Sequence, residues 1–190
     1  MTSHQVLSRI CGESYKKSTF EEANIEVLVK KSVFAFRGTD EPLDALRDLR
    51  ILPLWTRELG FCPAGFLKAS KRLVNKVTSI CLEYGIDHQN IELTGHSLGG
   101  AVALILGALL MRDEIKPAQI VTFGAPRCGR LKILDEVLVT QYRHGKDIVP
   151  LVPPLMRRHN ELLEYGKPGG SYIKDHYMSN YVEMNKQPEC

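Results

Sequence analysis

Apolar and polar positions divide the chain into short strand-like stretches and longer helical ones. Residues 25–29 and 32–36 have the alternation and branched or aromatic content of strands, joined at Lys30-Lys31. Val33, Phe34 and Phe36 predict that the second is well buried. Over residues 40–49, Leu43, Leu46 and Leu49 recur at helical spacing behind Pro42, which suits a first turn, and predict a short helix. Residues 51–63 contain the breakers Pro53 and Pro63 and read as irregular. Residues 66–84 predict a helix with Leu67, Val74, Val77, Ile80, Cys81 and Tyr84 on its apolar side, stopped by Gly85. Residues 91–94 predict a strand, and 98–112 an apolar helix free of proline. Beyond Pro117, residues 119–123 predict a strand. Residues 131–139 read as a helix or as the approach to a further strand near 140–143. Residues 147–154 form a proline-rich loop and 175–184 a final helix.

Strands alternating with helices predict an α/β fold with a mostly parallel central sheet covered on both faces. The length of 190 residues predicts a single domain, 1–190, large enough for a real core. Sites in such sheets form at the carboxyl ends of strands. Thr39, Ser97, Gly124 and Asp147 each follow a predicted strand and can converge on one edge.

Composition narrows the picture little. Apolar content of 44% and charged content of 25% are those of an ordinary globular chain. The net charge of +3 is too balanced to point to nucleic acid. No stretch is long and apolar enough to span a membrane. Residues 1–10 are polar and lack the apolar centre of a signal peptide, so the expected location is cytoplasmic. The five cysteines, Cys11, Cys62, Cys81, Cys128 and Cys190, are spaced irregularly and read as free thiols.

Gly95-His96-Ser97-Leu98-Gly99 is a G-x-S-x-G element. Chance alone places that pattern in about one chain in fifteen of this length. Here it lies between a predicted strand and a predicted apolar helix. A serine on such a turn has its hydroxyl lifted clear of the sheet, and the helix N-terminus directs free N–H groups at any oxyanion formed there.

A serine hydroxyl needs a base, and a histidine base needs a carboxylate to fix its tautomer. On this architecture the acid follows the serine and the histidine comes last. Among His144, His159 and His176, the reading selects His176, near the C-terminus at the start of an amphipathic segment. The same position suits a surface histidine with Asp175 as the helix cap. His144 ranks second, and His159 reads as solvent-facing. His96 reads as packed beside the serine and turned away from its hydroxyl. Asp147, at a strand-to-loop turn stiffened by prolines, is the selected acid, although an Asx-turn is a common fate for such an aspartate. Asp135 and Glu136 are alternatives in a helical context. The segment 34–40 ends a strand at Gly38, and the backbone N–H of Thr39 can join that of Leu98 as an oxyanion donor; an ordinary turn fits the same residues.

In order along the chain, Phe36-Arg37-Gly38-Thr39, Gly65-Phe66, Gly95 to Gly100, Thr122 to Gly129, Asp147-Ile148-Val149-Pro150 and Asp175-His176 with Tyr181 resemble the motifs of the class 3 lipases, a fungal-lipase-like branch of the α/β-hydrolases. The resemblance implies a short α/β-hydrolase fold with Ser97, Asp147 and His176 as catalytic triad. It also implies Thr39 and Leu98 as the oxyanion hole, a structural Arg127, and no metal or cofactor. The implied activity is hydrolysis of acylglycerols or related esters through an acyl-enzyme, on a lipid or small ester substrate with transient contact at a lipid interface. Phospholipase A1 activity and a catalytically silent binding module are the alternatives. Residues 40–47 depart from the amphipathic lid of the secreted members by their charges and modest apolar content.

Overall fold

The structure, a computed structural model, describes residues 3–38, 53–57, 59–169 and 171–182. Thr39 and the predicted helix over 40–49 lie outside these residues.

The elements in chain order are α1 (Ser3–Glu13), β1 (Phe20–Glu22), β2 (Ile25–Lys30), β3 (Val33–Phe36), β4 (Pro53–Thr56), β5 (Gly60–Pro63), α2 (Ala64–Tyr84), β6 (Glu92–His96), α3 (Leu98–Arg112), β7 (Gln119–Phe123), β8 (Leu138–His144), β9 (Leu162–Tyr165) and α4 (Met178–Val182). Seven strands form one sheet in the order β1-β2-β3-β6-β7-β8-β9. The pairings β1–β2 and β2–β3 are antiparallel. Those from β3 through β6, β7 and β8 to β9 are parallel.

The two faces follow from the alternation along each strand. On β3, Phe34 and Phe36 join the core beneath α2 and α3, while Val33 and Ala35 face a second core under α1 and α4. On β7, Ile120 joins the first core and Val121 and Phe123 the second. Helix α3 is buried from Leu98 to Leu110, as its uniformly apolar sequence requires. It lies between the sheet and α2.

Several elements differ from the sequence expectation. Residues 51–63 are not irregular throughout, because β4 and β5 pair as an antiparallel hairpin. Pro53 and Pro63 sit opposite each other at the ends of a two-stranded sheet, where a missing N–H costs no ladder bond. Helix α1 buries Leu7, Ser8, Ile10 and Cys11, a stripe too sparse to stand out in a polar sequence. Residues 132–136 form a 3-10 turn before β8. The predicted final helix is shorter: Lys174–His176 is a 3-10 turn, α4 follows it, and residues 183–184 lie outside the described ones.

Candidate active site

The turn between β6 and α3 carries Ser97 at φ 54° and ψ −127°. A non-glycine residue is strained there, and the surroundings hold it. Its N–H donates to the Phe123 carbonyl at 2.9 Å, fixing the turn to the neighbouring strand. Gly95 and Gly99 make the turn possible. A Cβ on Gly95 would run into the Gly99 backbone, and one on Gly99 into the backbone of Phe36. Leu98 is the first residue of α3, so its N–H has no intrahelical acceptor and remains available as a donor. The end of β3 also reaches this turn: a Cβ on Gly38 would lie 2.9 Å from Ser97 Cβ. Thr39, the expected second oxyanion donor, is outside the described residues.

The structure brings His176 and Asp147 together. His176 Nδ1 lies 2.7 Å from Asp147 Oδ2, with both side chains buried. Because the carboxylate can only accept, Nδ1 carries the proton and Nε2 is left as the free base nitrogen. Among the described residues Nε2 has no hydrogen-bond partner. The same Oδ2 accepts from the Tyr181 hydroxyl at 2.5 Å, and Oδ1 accepts from the Val149 N–H at 2.9 Å. Burial, then the nearby Asp147 charge, pushes the Tyr181 hydroxyl well above its ordinary pKa, so it stays a donor.

Gly124, at φ 62°, brings the serine and the histidine–aspartate pair into one place. It follows Phe123, which holds Ser97, and an added Cβ would lie 3.0 Å from His176 Nδ1 and 2.9 Å from Asp147 Oδ2.

His96 has more contacts than packing alone. Its ring stacks on that of His176 with centroids 4.6 Å apart. Its Nε2–H donates to the His176 carbonyl at 2.7 Å, leaving Nδ1 to accept from the Tyr15 hydroxyl at 2.6 Å. Burial, reinforced by the adjacent His176, holds its pKa well below the ordinary histidine value and keeps it neutral. Asp175 does not cap a helix over a surface histidine. It is buried, and its oxygens accept from the Lys146 and Gly169 N–H groups, each at 2.8 Å. These bonds tie the histidine turn to the loop that carries Asp147.

The other candidates have different occupations. The His144 ring packs edge-on against Tyr165 and Tyr181. His159 is buried rather than solvent-facing, with Nδ1 accepting from Arg130 at 2.8 Å. Asp135 is exposed and paired with Arg130, and Glu136 is exposed. Arg127 is structural: it donates to the carbonyls of Pro154 and Met156. Cys11, Cys62, Cys81 and Cys128 are free and buried, and burial pushes the Cys128 thiol up to about 12, too high for a resting nucleophile. Among the described residues no three His, Cys, Asp or Glu side chains converge as a metal site, and no helix is long and apolar enough to cross a membrane.

Sequence reasoning missed the roles of Tyr15, His96 and Asp175. Tyr15 and His96 are 81 residues apart, and no local pattern joins them. The one local signal was an aspartate directly before the selected histidine.

Among solved structures, the Lip2 lipase of Yarrowia lipolytica superposes with a TM-score of 0.65 over 85% of this chain and 77% of that one, at 19% identity. It shares the α/β-hydrolase fold. A secreted mono- and diacylglycerol lipase of Fusarium solani is 39% identical over 94 residues, 46% of this chain and 28% of the relative. A chloroplastic phospholipase A1 of Arabidopsis thaliana is 27% identical over 120 residues, 55% of this chain and 23% of the relative. The matches thus span about a quarter of these relatives' length. The expected cytoplasmic location does not stand, because the Fusarium relative is a secreted enzyme. That expectation rested on the first ten residues, which say nothing about location where the match covers so little of a relative. The family profile described as Lipase (class 3) matches residues 33–156, from the strand that approaches the serine turn to the loop beyond Asp147, and the chain belongs to that family.

Proposed function

We propose that the chain is a serine carboxylester hydrolase acting on acylglycerols or related esters. One observation carries the reading. A buried His176 is bonded through Nδ1 to Asp147 at 2.7 Å, its Nε2 is unpartnered among the described residues, and its ring stacks on His96, the residue directly before a serine held at positive φ on a helix N-terminus.

Ser97 Oγ attacks the acyl carbonyl as His176 Nε2 takes its proton. Asp147 holds the ring in the required tautomer and stabilises the imidazolium. The Leu98 N–H stabilises the oxyanion, with Thr39 as the proposed second donor, each donor being worth about 3 kcal/mol of barrier. His176 then protonates the leaving alcohol. Water, activated by the same nitrogen, releases the acid and regenerates the serine.

The test is hydrolysis of p-nitrophenyl esters from acetate to palmitate by the parent protein and by Ser97→Ala. The expected loss is about 10⁶-fold in kcat with the fold preserved by circular dichroism. Unchanged ester hydrolysis in Ser97→Ala rejects the assignment. An inert but folded parent favours the silent binding module. The phospholipase A1 relatives support phospholipids as a second substrate class. Faster release of fatty acid from phospholipid vesicles than from diacylglycerol would select it.

A further inference from the structure

Asp147 holds His176 at Nδ1, but a single hydrogen bond leaves the ring able to turn about it. The remaining constraints come from His96. Its ring lies against that of His176, with 4.6 Å between centroids and 30° between planes. Its Nε2–H also holds the His176 carbonyl at 2.7 Å. One side chain thus fixes both the plane of the base and the backbone that carries it.

His96 can do this in one tautomer only. A carbonyl accepts and never donates, so Nε2 carries the proton and Nδ1 is an acceptor. His96 is buried, and a buried acceptor without a donor is costly. The Tyr15 hydroxyl supplies the donor at 2.6 Å. With the proton on Nδ1 instead, the bond to the His176 carbonyl is lost.

Tyr15 is itself fixed from several sides. It follows α1, and its N–H donates to the Gly12 carbonyl at 3.4 Å. The Arg37 guanidinium lies over its ring at 5.2 Å and donates to the Glu26 carboxylate at 2.8 and 2.9 Å. A Cβ on Gly38 would lie 2.7 Å from the Tyr15 hydroxyl and 2.9 Å from Ser97 Cβ. The hydroxyl therefore fills the gap between the end of β3 and the serine turn. Tyr15 lies outside residues 33–156, which the family profile matches.

We propose that Tyr15 is a positioning residue for the base: it holds His96 in the tautomer that fixes His176. The effect on rate rests on the hydrolase reading, and the effect on His96 does not. The segment that follows α1 then supports the base, while α1 itself covers the second core.

The first test needs no turnover. Long-range nitrogen–proton NMR spectra of the histidine rings are expected to show His96 protonated at Nε2 and His176 at Nδ1 in the parent protein. Tyr15→Phe is expected to shift His96 toward the Nδ1–H form. His96 protonated at Nδ1 in the parent, or an unchanged His96 tautomer in Tyr15→Phe, overturns the proposal. The second test is hydrolysis of soluble p-nitrophenyl butyrate. Tyr15→Phe is expected to lower kcat about tenfold, the scale of one lost hydrogen bond, with KM unchanged. His96→Gln keeps an N–H for the His176 carbonyl but has no ring nitrogen for Tyr15. In that background Tyr15→Phe is expected to lower kcat by less than about twofold, because its effect passes through His96. Parent-like kcat in Tyr15→Phe, a raised KM at unchanged kcat, or equal effects of Tyr15→Phe in the two backgrounds overturns the proposal. Ester hydrolysis retained by Ser97→Ala would instead reject the proposed function and leave the NMR result standing.

Discussion

The Tyr181 hydroxyl and the His176 ring donate to the same oxygen of Asp147, at 2.5 and 2.7 Å. With the Val149 N–H on the other oxygen, a carboxylate with no exposure to water has three donors. Burying a charge is tolerated only with such compensation. Tyr181→Phe removes one donor and leaves the others. The expected cost is about 2 kcal/mol in urea denaturation, the scale of a hydrogen bond to a charged group. If the proposed mechanism holds, kcat falls about tenfold with KM unchanged, because only the orientation of the base is loosened.

Asp147→Asn keeps the volume but offers a donor where His176 needs an acceptor. The histidine then takes the opposite tautomer, and Nε2 carries the proton that the proposed mechanism has it accept. A kcat about 10⁴-fold lower, with little change in KM, is the expected outcome of steady-state kinetics.

Ser97→Gly separates stability from activity. The serine sits at φ 54°, where glycine is unstrained. On the proposed mechanism the substitution abolishes ester hydrolysis, and it raises unfolding free energy by about 1 kcal/mol, the usual strain less the extra entropy of glycine. A lower denaturation midpoint would show that the serine side chain contributes more than its backbone costs.

Gly124→Ala acts on the geometry of the proposed triad through one methyl group. Its Cβ would lie 2.9 Å from Asp147 Oδ2 and 3.0 Å from the His176 ring, at a φ of 62° that alanine disfavours. The expected stability loss is about 1–2 kcal/mol. The expected fall in kcat is about a hundredfold, because the pair itself is displaced.

Histidines whose pKa burial lowers give the fold an acid-sensitive limb. His96 is held well below the ordinary value by burial, and His4 and His159 are lowered by burial too. Below about pH 6.5 the unfolded chain takes up protons that the folded chain refuses. Their contribution is therefore complete above that pH and declines as pH falls. His96→Phe removes one such group, so its denaturation midpoint varies less with pH below 6.5, by at most about 1.4 kcal/mol per pH unit. An unchanged slope would mean that His96 takes up a proton while folded.

The site was legible where the chemistry is local. Strand, turn and helix around Ser97 follow from Gly95, Gly99 and the apolar run after them, since both close approaches occur within a few residues. Asp147 and His176 could be ranked ahead of His144 and His159 by chain order and turn context, but not joined. The hydrogen bond joins them, and it depends on where β8 and the turn before α4 are placed by the sheet. The hairpin of β4 and β5 was read as irregular because prolines break strands in a sheet interior, whereas here they stand at the ends of two edge strands. Helix α1 was hidden because it needs only a narrow apolar stripe to cover the second face.

The sequence by itself determined the alternation of strands and helices, the serine turn between strand and helix and the chemistry to propose for it, because periodicity and backbone permissiveness act between near neighbours. Only the tertiary structure decided that Tyr15 supports His96, that His96 stacks on His176, and that Tyr181 and His176 share one oxygen of Asp147. It also decided that Leu155 lines one cavity with Phe61 and Arg157. These contacts join segments tens of residues apart, and what fixes them is the packing of helices on the two faces of a sheet, which no local pattern encodes.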